Sequence, residues 1–158
     1  MTGMTGMTVG AWRSMLEVHA ALIGELADAF QGQHDLSVSE FDVLVNLDVR
    51  QPIRHGELSE RVILSRTALT RLVDRLVARG LVRRETDPVD QRAVRIGLTP
   101  AGRRLRADSA RTNRRIVEAF FAPLDADSLT ALHAATITLL ERNSAARDPS
   151  CPPKGPSR

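Results

Sequence analysis

From Trp12 to Phe30 the apolar residues Trp12, Met15, Leu16, Leu22, Ile23, Leu26 and Phe30 recur at steps of three and four, with His19 on the same stripe. That spacing follows the turn of an α-helix and predicts an amphipathic helix, which Gly32 and the polar "QHD" bring to an end. The next start is explicit. Ser37 stands three residues before Glu40 as a capping box, and Leu36 and Phe41 are placed as a hydrophobic staple. A second helix is therefore expected from Val38 to Asp48, burying Phe41, Leu44, Val45 and Leu47. "RQPIRHG" punctuates the chain with proline and glycine, and a short helix follows, roughly Glu57 to Val62, marked by Leu58, Val62 and the nearby Leu64. After a break at Ile63 and Leu64, Ser65 caps a longer helix that runs to Arg79. Its buried stripe is Leu69, Leu72, Val73 and Leu76, and its opposite face shows Arg66, Thr67, Thr70, Arg71, Asp74 and Arg75. Gly80 stands where a helix ends in a left-handed residue.

Beyond Gly80 the period drops to two. Leu81 to Glu85 and Arg92 to Leu98 read as two strands bridged by "TDPVDQ", with Val94, Ile96 and Leu98 facing one way and Ala93, Arg95 and Gly97 the other. Thr99 followed by Pro100 opens a long helix through Arg103, Leu105, Ile116 and Phe120, ending at "APLD". A last helix follows Asp125 and carries Leu129, Leu132, Ile137, Leu139 and Leu140. The expected fold is mainly α with a small β-hairpin wing: a winged helix-turn-helix with dimerisation helices at both ends. Residues 1–9 and 144–158 are expected to be disordered around a domain of 10–143. Within that domain the core spans about 37–99 and the flanking helices about 11–31 and 100–143.

Composition sharpens this picture at four points. A length of 158 residues suits one domain with one core. No run of about 18 apolar residues occurs, and "MTGMTGMTVG" lacks the order of a secretory signal, so a cytoplasmic chain that spans no membrane is expected. The single cysteine, Cys151, lies in the proline-rich tail, where it reads as a loose thiol rather than a disulfide, a metal ligand or a redox sensor. Charge is the informative quantity. The net charge is only +3, yet residues 61–115 hold 15 arginines against 5 acidic residues, while the remainder is acidic. Such a local excess is what attraction to a phosphate backbone requires.

A short helix, a turn and a longer helix beginning with small polar residues form a helix-turn-helix pattern, whose second helix fits the roughly 12 Å wide major groove of DNA. Ser65, Arg66, Thr67, Thr70, Arg71 and Arg75 are the candidates on that helix, because arginine pairs bidentately with guanine. A hairpin directly after the reading helix can place a guanidinium in the minor groove, where negative potential is strongest; Arg92 is the candidate, with Arg95 behind it. Asp90 is expected to hold the Arg92 side chain extended through a charge-assisted hydrogen bond. The plainer alternative makes Asp87 and Asp90 simple turn formers and Arg92 a solvated strand start.

The run "ELSERVILSRTALTRLVDRLVARGLVRRETDPVDQRAVRIGLTPAG" resembles the signature of the MarR-type winged-helix regulators: the reading helix, the "D-R-L…G-L-V" exit, the "D-P-x-D-x-R" wing and the "L-T-x-x-G" helix start all have matches. The resemblance extends over about Trp12 to Arg142, and departs from the family where Gln91 replaces a second basic residue at the wing tip. It implies a homodimeric transcription factor on a pseudo-palindromic operator, commonly a repressor, often released by a small aromatic or amphipathic molecule or by oxidation.

A dimer also follows from affinity, because two linked modules about one helical turn apart offset the modest grip of one. Trp12, Leu16 and Leu22 at one end and Phe120, Phe121, Leu129, Leu132 and Leu139 at the other either pack within one chain or await a twofold partner. No enzyme is expected, and no cofactor. His19, His34, His55 and His133 are scattered without paired-ligand spacing, and neither a glycine-rich phosphate loop nor a nucleophile elbow occurs. A ligand pocket lined by Trp12, His19 or Phe41 is the guess the sequence offers for an effector. The rival reading is a winged-helix module that docks protein or RNA without effector control.

Overall fold

A computed structural model describes residues 2–147, with side chains described from 5 to 142. The element order is α1 (Thr2–His34), α2 (Val38–Asn46), β1 (Ile53–Arg54), α3 (His55–Arg61), α4 (Arg66–Ala78), β2 (Val82–Thr86), β3 (Val94–Leu98), α5 (Pro100–Phe121) and α6 (Ala126–Arg147). Two compact units part between Val117 and Glu118.

In the first unit the predicted stripes converge on one core. Phe30, Leu36, Leu44, Leu58, Leu69, Val73, Leu76 and Ile96 are fully buried, and Ile116 of α5 closes the cluster. The capping box at the head of α2 is complete: Ser37 Oγ accepts the Glu40 N–H at 3.2 Å while the Glu40 carboxylate accepts the Ser37 N–H at 2.9 Å. Leu36 and Phe41 are both buried, as a staple requires, and the Phe41 ring lies 4.5 Å from that of Phe30. Helix α2 stops at Asn46 rather than Asp48, because Leu47 turns to an extended backbone while keeping its side chain buried. Arg106 of α5 donates to the carbonyls of Leu44 at 3.1 Å and Val45 at 3.2 Å, satisfying acceptors left open at that helix end.

Other elements also differ from the sequence reading. The sheet has three strands in the order β1-β3-β2, all antiparallel, not two. Strand β1 escapes pattern reading because two residues, Ile53 and Arg54, cannot display alternation. Helix α1 begins at Thr2, well before the expected start near residue 11, so residues 2–9 are helical instead of disordered. No proline interrupts "TGMTGMTVG", and each added helical residue gains a hydrogen bond once the Trp12–Phe30 stretch has nucleated the turn. At the other end α6 continues to Arg147, and the rest of the expected tail, with Cys151, lies outside the described residues.

The joint between hairpin and α5 is tightly knotted. Gly80 adopts φ +67, and the N–H groups of Gly80 and Leu81 bond back to Val77 O and Leu76 O, a Schellman ending. Leu81 O then accepts the Thr99 N–H at 3.1 Å, while Thr99 Oγ accepts the Gly102 N–H at 3.0 Å in the first turn of α5. Gly102 packs so closely that a Cβ there would lie 1.9 Å from Leu81 O.

In the second unit Asp125 caps α6, its carboxylate accepting the Ser128 N–H at 2.8 Å; that bond lowers the carboxyl pKa. Leu129, Leu132, Ile137 and Leu140 of α6 are exposed, and Phe120 and Phe121 meet edge to face.

Candidate nucleic-acid interface

Helix α4 forms because its apolar residues fall on one face and Ser65 supplies the missing acceptor at its start. The Ser65 backbone is extended and its Oγ accepts the Ala68 N–H at 3.2 Å. Leu69, Leu72, Val73 and Leu76 are buried, so the opposite face, Arg66, Thr67, Thr70, Arg71, Asp74 and Arg75, is turned to solvent. Arg66, Thr67, Thr70 and Arg71 line a shallow groove of about 430 Å³. The Thr70 hydroxyl donates to Arg66 O at 3.0 Å, which leaves its oxygen lone pairs outward. The guanidiniums of Arg66 and Arg71 have no ion-pair partner among the described residues. Arg75 sits 3.9 Å from the Glu40 carboxylate and Asp74 is paired with Arg84 of β2 at 2.6 Å, so the C-terminal half of this face is more committed to the fold than the N-terminal half.

The wing is built around Asp87, whose side chain is fully buried. One carboxylate oxygen accepts from Arg54 Nε and Arg95 Nε, both at 2.8 Å, and the other from the N–H groups of Val89 at 2.8 Å and Asp90 at 3.1 Å. The Arg54 and Arg95 guanidiniums, followed by the Val89 N–H, hold this carboxyl far below the usual carboxylate range, and Asp87 in turn raises Arg54. Strand pairing explains why the two arginines converge, since Arg54 and Arg95 are register partners across β1 and β3. Asp90 Oδ1 accepts the backbone N–H of Arg92 at 3.0 Å. Asp90 therefore orders the Arg92 main chain, not its guanidinium as expected; a side chain so short reaches the amide two residues on, as in an Asx turn. The Arg92 guanidinium is exposed and unpaired among the described residues. Arg95, expected among the outward contacts, is instead half-committed to Asp87.

The Nε2 of His55, at the start of α3, is buried without a hydrogen-bond partner among the described residues, and desolvation, then the Arg84 and Arg66 charges, lower its pKa. His34 contacts the Thr112 hydroxyl at 2.8 Å, tying α1 to α5. The three guessed ligand residues are not brought together: Phe41 is in the core, while Trp12 and His19 stand exposed on α1. A cleft of about 520 Å³ lies elsewhere, at the end of α2, among Val45, Leu47, Arg50, Arg61 and Arg106. Among the described residues no helix is long and apolar enough to cross a membrane.

The sequence model described as the MarR family matches residues 36–94, from the staple of α2 to the first residue of β3. An HTH-type transcriptional regulator of Bacillus subtilis, YsmB, is 35% identical over 86 residues, 54% of this chain and 59% of that protein. The chain spans about half the length of the curated relatives it matches. Among solved structures, AbsC, a MarR family transcriptional regulator from Streptomyces coelicolor, superposes with a TM-score of 0.77 at 28% identity, covering 85% of this chain and 92% of that one. Sco3205, a MarR family transcriptional regulator from the same organism solved in complex with DNA, gives 0.80 at 26% identity over 87% and 92%. Residues 36–94 thus resemble the MarR family, and the fold is shared with MarR family transcriptional regulators. The MarR-type matches are to transcriptional regulators, not enzymes.

Within this MarR-type core, sequence reasoning missed Arg54, the second anchor of Asp87. Nothing in "RQPIRHG" marks it, because its meaning depends on a strand pair that forms 41 positions away in the chain, at Arg95. Asp87 itself was visible, though only as a turn former; its burial comes from the two converging arginines.

Proposed function

We infer that the protein is a sequence-specific DNA-binding regulator that acts as a homodimer on a pseudo-palindromic operator, represses transcription there, and is released by a small-molecule ligand. The observation that carries this reading is the pairing of two presented basic features. The open N-terminal half of the α4 face shows Arg66 and Arg71 unpaired, and the wing shows Arg92 unpaired on a backbone fixed by Asp87 and Asp90.

Arg66, Thr67, Thr70 and Arg71 read base edges in the major groove, where a bidentate arginine–guanine pair is worth about 1–3 kcal/mol of discrimination. Ser65 caps the helix so that its N-terminus, with its partial positive charge, approaches a phosphate. Arg92 enters the minor groove, and Arg75 and Arg95 contribute charge from behind their own ion pairs. Support for a twofold partner comes from apolar surface that water would otherwise cover: Trp12, Met15 and Leu16 on α1, and, in the second unit, Leu132, Ile137 and Leu140 on α6, are all exposed.

Measuring duplex affinity against salt tests the reading. Each neutralised phosphate steepens the fall of log K with log salt by about 0.9, so a factor gripping several phosphates loses affinity sharply between low and physiological salt. Affinity for duplex DNA that is flat with salt, or preference for a protein partner that salt leaves unchanged, would reverse the conclusion in favour of an interaction module.

A further inference from the structure

The residue at the wing tip is an apolar one held out in water. Val89 is 85% exposed. A hairpin tip ordinarily carries polar or small residues. Here the backbone beneath the valine is held. Pro88 fixes its own φ, the Val89 and Asp90 N–H groups are bonded to the Asp87 carboxylate at 2.8 and 3.1 Å, and the Arg92 N–H to Asp90 at 3.0 Å. Asp87 is in turn immobilised by Arg54 and Arg95. The Asp87 N–H bonds to Ala93 O at 2.9 Å and closes the loop. The tip is thus a rigid presentation of two side chains, Val89 and Arg92, of which one has no capacity for hydrogen bonding.

The charge at this tip is also modest. Asp87 offsets one of the two charges of Arg54 and Arg95, Gln91 is neutral, and Asp90 is an acid beside Arg92, so the tip carries a net charge of only +1. Attraction for the minor groove therefore rests on one unpaired cation, which leaves a role for contact that does not depend on charge. The walls of the minor groove are deoxyribose carbons, the apolar part of the nucleic-acid surface, and their separation varies with sequence. Deepening the DNA-binding reading on which it rests, we propose that Val89 packs against the deoxyribose wall of the minor groove beside Arg92, so that the wing senses groove width by apolar contact as well as by charge. The locked backbone makes this effective, because no loop ordering opposes the contact on binding.

The test uses the full chain and the duplex that the unaltered protein selects from a random pool. Affinities of the unaltered protein, Val89→Ser, Val89→Ala and Arg92→Ala are measured over a series of salt concentrations. Val89→Ser is expected to weaken binding about 3- to 10-fold, the scale of a partly buried valine, with Val89→Ala between, and both with the salt slope of the unaltered protein. Arg92→Ala is expected to lower the slope by about one. Since Val89 is exposed, its variants keep the unaltered melting temperature. Unchanged affinity in Val89→Ser, or a loss accompanied by a shallower slope, would overturn the proposal. Selection of no duplex at all would instead defeat the DNA-binding reading, whereas a duplex weakened by Arg92→Ala and untouched by Val89→Ser would defeat only the apolar contact.

Discussion

Replacing Gly102 by alanine probes the joint that fixes the wing to α5. The new Cβ would lie 1.9 Å from Leu81 O and 2.9 Å from Leu81 C. An ordinary carbon–oxygen contact is about 3.3–3.6 Å, so helix and strand must separate by about 1.4 Å at this point. Neither neighbour is the end of a flexible side chain. Leu81 O accepts from the Thr99 N–H and hydroxyl, both at 3.1 Å, and Thr99 caps the helix through Gly102 N. Separation therefore weakens one or two hydrogen bonds at about 0.5–1.5 kcal/mol each, in addition to overpacking of about 1–3 kcal/mol. The helix propensity of alanine returns at most about 1 kcal/mol. Strain wins, and the net loss is about 0.5–5 kcal/mol. For a chain of this size that lowers the melting temperature by about 2–4 °C per kcal/mol. Gly24 provides the internal control: it is exposed within α1, a Cβ there would meet nothing within 4 Å, and Gly24→Ala should raise stability by about 0.4–1 kcal/mol. Thermal unfolding followed by far-ultraviolet circular dichroism, at one fixed protein concentration, separates the two. A Gly102→Ala protein as stable as the unaltered one would show that the knot at Leu81 is not the constraint described.

Other expectations follow from the same structure. Leu72→Asp puts a charge in the buried stripe of α4 and should abolish folding, as seen by loss of the cooperative thermal transition; a folded Leu72→Asp protein would mean that the faces of α4 are reversed. Arg71→Ala should weaken operator binding by about 1–3 kcal/mol in gel-shift titrations and relax preference at one base pair, while leaving the melting temperature unchanged. Because the folded-state pKa of Asp87 lies below its unfolded value, its ion pairs stabilise the protein above the ordinary carboxylate range and are lost as pH falls through that range and below. Asp87→Asn should accordingly be less stable at pH 7 and show a shallower further loss on acidification, read from melting temperatures between pH 7 and pH 2.

Local signals carried the reading of the fold wherever one helix or one cap sufficed. Ser37 with Glu40, Ser65 before α4, Gly80 after it and Thr99 with Pro100 each announce a terminus through a bond spanning a few residues, and each was legible. Signals that need a distant partner were not. Ile53 and Arg54 become a strand only beside Arg95 and Ile96, and Asp87 becomes a buried hub only after Arg54 has arrived. The extent of α1 was hidden for a different reason: residues 5–20 are exposed, so the apolar stripe that marks a buried helix says little about where an exposed one begins. At the wing, the identity of the presented arginine could be read from the turn, whereas the direction of the Asp90 bond depended on reach.

The wing has an evolutionary corollary. Its stem is closed by the main chain and by Asp87, Arg54 and Arg95, whereas the side chains of Val89, Gln91 and Arg92 have no structural task in it. Residues at those three positions can drift without penalty to the scaffold, so duplicated descendants of this gene could diverge in the DNA they prefer before anything else in the molecule has to change.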